Sequence, residues 1–208
     1  MDAPAHFGRG RNHVHLVPLD RLIGPGCIVN VKKKVENNHD YALSVSDLED
    51  WEKMYGKIPE KAIVIMNSGW DKYKDDELKA WGTNNITDTT SYHTPGWTAQ
   101  AIEWLVKNRR INMIGVDTPS IDIGQTTKFE AHVAGAMNDL SMLENVVNLD
   151  KIPPSGTIIY AAVTKIFDGS GAPTRVFAVV DDNTSGTSRV QYTCLLLLCL
   201  VSAILTFL

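Results

Sequence analysis

Five runs of apolar, mostly β-branched residues recur along the chain: GCIVNV (26–31), AIVIMN (62–67), INMIGVD (111–117), TIIYAAV (157–163) and RVFAVV (175–180). Their length and composition predict buried strands. Helical patterns fill the gaps. SDLEDWEKMYG shows a capping-box pattern from Ser46 to Glu49 and a stop at Gly56, and TPGWTAQAIEWLVKN sets Ile102, Leu105 and Val106 on one face. TKFEAHVAGAMNDL has a second such box, Thr127 to Glu130, and an apolar stripe of Phe129, Val133, Met137 and Leu140. Strands alternating with helices predict one α/β domain over residues 1–181, with mixed or parallel pairing.

Two of the predicted strands run into polar, glycine-bearing loops, SGWDKY after 62–67 and TPSIDIG after 111–117. Open α/β sheets gather ligands at the carboxyl ends of their strands, so these loops are the first places to look for chemistry. Composition narrows the classes. A net charge of −4, with KKK at 32–34 as the one basic cluster, argues against a nucleic-acid partner. The three cysteines, Cys27, Cys194 and Cys199, have neither zinc-type spacing nor a disulfide framework, and Cys27 reads as a small core residue.

The pattern changes after about residue 181. TCLLLLCLVSAILTFL ends the chain uncharged, and it is short for a membrane-crossing helix. Small residues at Asn183, Thr184 and Ser185, a polar spacer and this apolar tail match a glycosylphosphatidylinositol signal, with Asn183 as the attachment site and Ser185 or Gly186 serving almost as well. A short tail anchor is the other reading. Either implies a membrane-tethered protein, and the first implies the outer face of the plasma membrane. It also implies a signal peptide upstream of Met1, because MDAPAHFGRGRN has no apolar h-region. The glycosylation triplet NIT at 85–87 is compatible with that route.

Chemistry concentrates in DAPAHF at residues 2–7. In extended chain Asp2 and His6 would lie about 13 Å apart, too far to share one metal, so the segment must curl or its ligands must serve two metals. Candidate partners are His132, which flanks the stripe of the last helix, and Glu144, a carboxylate inside the apolar run SMLENVVNL. A buried Glu is rare unless paired or bound to metal. Taken singly, a surface histidine and a strand-edge glutamate are the plainer readings of these two.

MDAPAHF resembles the second half of the signature His-x-Gly-Thr-His-x-Asp-x-Pro-x-His of the cyclase family of metal-dependent hydrolases, which includes bacterial-type kynurenine formamidase and isatin hydrolase. The spacing of His132 and Glu144 is similar to the family's downstream pair, and PLDRLIGPGCIVNV, NSGWDKY, HTPGWTAQAIEWL, GVDTPSID and LENVVNLDKIPPSG look like family blocks in order. The resemblance implies a swivelling β/β/α fold with a mixed sheet and flanking helices, a binuclear zinc or manganese site, and oligomers. It implies that Asp2 bridges two metals, that His6 and Glu144 ligate the second, and that His132 shuttles protons. Phe7, Trp70 and Tyr73 would stack on an aryl substrate or simply pack. The signature's first two histidines have no counterpart here, which implies a shortened chain with one site's ligands. Two functions follow: hydrolysis of an aryl formamide or cyclic amide, with N-formylkynurenine favoured, or an inactive, membrane-tethered binding or structural module.

Overall fold

The computed structural model describes residues 1–180. Asn183, with the rest of the expected spacer and apolar tail over 182–208, lies outside the described residues. The expected placement at the outer face of the plasma membrane is corrected: among the described residues no helix is long and apolar enough to cross a membrane.

In chain order the elements are β1 (Ile23–Asn30), α1 (Lys32–Val35), β2 (Ala42–Leu43), α2 (Val45–Tyr55), β3 (Ile63–Asn67), α3 (Glu77–Ala80), β4 (Gly96–Trp97), α4 (Ala99–Arg109), β5 (Met113–Val116), α5 (Glu130–Met137), β6 (Ser141–Leu143), β7 (Thr157–Val163) and β8 (Thr174–Val180). Among the described residues six strands form one mixed sheet in the order β6-β5-β3-β1-β7-β8. The first four run parallel, with β7 and β8 added antiparallel. All five expected strands are present.

Period-two alternation divides β3 between two cores. Val64 and Met66 join Leu48 and Trp51 of α2 and Ile102 and Leu105 of α4, whereas Ile63 and Ile65 face Met113, Leu143 and Ile159 on the opposite side. A strand buried on both faces reads as an unbroken apolar run, which is why β3 shows no polar alternation.

Two helix starts differ from expectation. The cap of α2 is Ser44, whose backbone N–H donates to Asp47 Oδ2 at 2.7 Å, so the capping box lies two residues upstream of the pattern at Ser46. At α5, Thr126 rather than Thr127 receives the Phe129 N–H, and the carboxylate of Asp122 takes the N–H groups of Ala131 and His132.

The stripe expected as the core face of α5 points largely to solvent: Phe129, Val133 and Met137 are 44%, 41% and 54% exposed, and only Leu140 is buried. The buried face is Ala131, His132, Ala134, Gly135 and Ala136. Small residues let the helix backbone approach β6 closely. A Cβ on Gly135 would lie 2.6 Å from the Met142 sulfur, so side-chain size outranks hydrophobic count here.

Candidate active site

Chain ends fray unless tied down. Here Asp2 forms antiparallel bridges to Met142 on one side and Gly171 on the other. Its N–H donates to the Met142 carbonyl at 2.8 Å, the Met142 N–H returns to its carbonyl at 3.0 Å, and the Ala3 N–H donates to the Ser170 carbonyl at 2.9 Å. Proline fixes the first residue of a 3-10 turn, Pro4–His6, which curls the segment back on itself. That turn brings His6 Nε2 to 3.8 Å from Asp2 Oδ2. The curl, one of the two ways in which these residues could serve a metal, is therefore present.

Parallel pairing puts the carboxyl ends of β5 and β6 on one edge, where the loop 117–129 and Glu144 meet the N-terminal turn. His132, buried on the first turn of α5, points Nε2 at Glu144 Oε1 (3.2 Å) and at Asp2 Oδ2 (3.5 Å). Glu144 Oε1 accepts the Ile121 N–H at 3.0 Å. Asp2, His132 and Glu144 each offer a ligand atom within 4.8 Å of the others. His6 adjoins this trio through Asp2, its ring centroid 6.1 Å from that of His132.

Sequence reasoning passed over Asp122, although it lies in the TPSIDIG loop already flagged. Its carboxylate is buried and its Oδ2 stands 2.6 Å from His132 Nδ1. Burial disfavours charge on the His132 ring, but hydrogen bonds to Asp122, Asp2 and Glu144 outweigh it and push the pKa up to about 11. Three carboxylates around one imidazole demand positive charge, and oxygen and imidazole donors suit a divalent cation such as zinc or manganese. The donor set fits such an ion.

The cluster lines one wall of a cavity of about 680 Å³, which Phe7, Phe129, Trp81 and Tyr92 also line. Phe7 stacks on His132 with centroids 4.4 Å apart and contacts Phe129 at 5.5 Å, while Trp81 and Tyr92 stack at 4.7 Å. Threonines 89, 90, 126 and 127, Ser120 and Gln125 supply neutral polar groups. Trp70 and Tyr73 lie elsewhere, against a separate cavity beside His39 and His93. Asp117 explains the difference. It accepts the N–H groups of Ser68 and Trp70 and the Ser68 hydroxyl, which pins the loop after β3 and turns the Trp70 indole inward to the Ala80 carbonyl at 2.8 Å. Trp81 and Tyr92 carried no signal in one dimension, because the fold alone brings their loop over residues 123–125.

The family model described as "Putative cyclase" matches residues 1–123. An isatin hydrolase of Roseibium aggregatum is 31% identical over 188 residues, covering 86% of this chain and 70% of that protein. A kynurenine formamidase of Bordetella avium is 24% identical over 177 residues, covering 84% of this chain and 71% of its own length. Isatin hydrolase A from Ralstonia solanacearum superposes with a TM-score of 0.80 at 33% identity, over 86% of this chain and 70% of that one. These relatives are enzymes, which gives the tethered binding-module alternative no support. With an N-terminal Asp-x-Pro-x-His turn meeting His132 and Glu144 at one sheet edge, and with these matches over most of its length, the chain belongs to the cyclase family of metal-dependent hydrolases.

Proposed function

We propose that the protein hydrolyses the amide bond of a small aryl amide with the help of a divalent cation. The observation that carries this reading is the Asp2, His132 and Glu144 cluster at the wall of an aromatic cavity. Asp2, Glu144 and His6 would hold the ion. A bound divalent cation acidifies water toward neutral pH and polarises a carbonyl oxygen.

The chain's own groups do the rest. Phe7, Phe129, Trp81 and Tyr92, which all line the cavity, offer π-faces to a flat aryl group. His132 presents Nε2 toward the reacting atoms and gives a proton to the leaving nitrogen as the C–N bond breaks and the hydroxyl of water joins the acyl carbon.

Among the described residues the cavity wall holds no Lys or Arg. A neutral cyclic aryl amide such as isatin therefore suits it better than N-formylkynurenine, whose α-amino acid carboxylate would find no Lys or Arg side chain to pair with there. The aryl formamide is kept as the second reading, because kynurenine formamidases are among the relatives.

The test supplies the purified chain with zinc or manganese and measures bound metal together with hydrolysis of isatin, N-formylkynurenine and an aliphatic formamide. Expected are metal binding, turnover of an aryl amide and little turnover of the aliphatic one. His132→Ala abolishes turnover with metal retained, and Glu144→Gln lowers metal content. Bound metal with no turnover of either aryl amide rejects the enzyme reading, and unchanged metal in Glu144→Gln removes that residue from the ligand set.

A further inference from the structure

We propose that Asp122 is the positioning residue of the site: it aims Nε2 of His132 at the reacting atoms by holding Nδ1–H from behind. The role of His132 in turnover rests on the function proposed above, whereas the geometry of the pair stands apart from it.

The carboxylate of Asp122 makes three contacts, all with the first turn of α5. Oδ1 accepts the Ala131 N–H at 2.7 Å, and Oδ2 accepts the His132 N–H at 3.0 Å and lies 2.6 Å from His132 Nδ1. One group thus caps the helix and orients the ring that the helix carries. A carboxylate has no hydrogen to give, so Nδ1 must be the donor, and Nε2 is the atom left to face Asp2 and Glu144.

The neighbouring backbone shares in this placement. Ile121 N–H donates to Glu144 Oε1 at 3.0 Å, so two adjacent residues fix both the imidazole and the glutamate. Their turn is itself clamped by β4: the Ile121 carbonyl accepts the Trp97 N–H at 2.8 Å, and Gly96 lies so close that a Cβ there would be 2.4 Å from the Asp122 carbonyl carbon. The lack of a side chain at Gly96 is what lets the turn sit at this depth.

Asp122→Asn separates positioning from simple support. An amide can keep one oxygen on the Ala131 N–H, but its NH2 then faces the His132 N–H and Nδ1, two groups that both need an acceptor. The ring must turn or tilt away from that NH2, and Nε2 no longer presents the same face. Proton NMR of the metal-loaded wild type is expected to show a strongly deshielded Nδ1 proton, assigned by its loss in His132→Gln. In Asp122→Asn that resonance disappears, kcat falls by roughly 10²- to 10⁴-fold, and KM changes little.

A wild type that lacks the resonance overturns the proposal without need of any variant. So does an Asp122→Asn protein that keeps kcat within about threefold, or one that keeps the resonance while activity falls only in step with thermal stability, which is the behaviour of a helix cap alone. If the resonance is present and lost as expected but the wild type cleaves no aryl amide, the positioning geometry stands and the proposed function fails.

Discussion

Asp2, His132 and Glu144 come from the chain start, a helix and the residue after a strand, and each was visible in the sequence as a residue type that needs partners. Asp122 was not, because an aspartate in a polar loop is ordinary until a buried imidazole lies 2.6 Å away. The aromatic residues divide in the same way. Phe7 reaches the cavity because it follows the N-terminal turn, while Trp70 is buried by the loop that Asp117 pins. This makes a discriminating pair of substitutions. Trp81→Ala removes a stacking wall of the proposed aryl slot and should raise KM for an aryl amide about 5- to 10-fold, the equivalent of about 1 kcal/mol, with kcat nearly unchanged. Tyr73→Ala, in a different cavity, should leave steady-state kinetics with the same substrate untouched.

Elements were legible where side-chain volume matches hydrophobic periodicity, as in β3 and α4, and misread where it does not, as in α5. Capping residues were misplaced by one or two positions because several Ser and Thr compete near each helix start, and only the path of the incoming chain selects one. At α2 the chosen residue has an electrostatic consequence. Burial alone would raise the pKa of Asp47, but hydrogen bonds from Lys34, from Ser44 and from Tyr41 outweigh it and hold the carboxyl below its usual range. A depressed folded pKa means that its stabilisation is fully present above the unfolded value of about 4 and is lost as pH falls through the folded one. Asp47→Ala should therefore cost about 1 to 2 kcal/mol at pH 7 and less at pH 3, a difference that urea unfolding at the two pH values measures.

Across the whole molecule, the proposed cation site ties together two segments that are remote in the chain, the N-terminal turn and the residue following β6, with His132 of α5 packed against both. Binding to the folded state alone adds stability by mass action, about 2.7 kcal/mol when free metal is a hundredfold above its dissociation constant. Zinc or manganese should raise Tm by several degrees, a chelator should reverse the rise, and Glu144→Gln should blunt it; a Tm indifferent to metal would count against the site. The amino-acid sequence by itself determined the α/β class, the strand runs, the family resemblance and the candidate metal ligands, because hydrophobic period and residue chemistry are properties of local sequence. Only the tertiary structure decided which aromatics face the cavity, which carboxylate stands behind His132 and how the segment around Asp2 is held between two others. Those depend on backbone approaches between distant segments, such as Gly96 against the 121–123 turn and Asp2 between Met142 and Gly171, which no local pattern encodes.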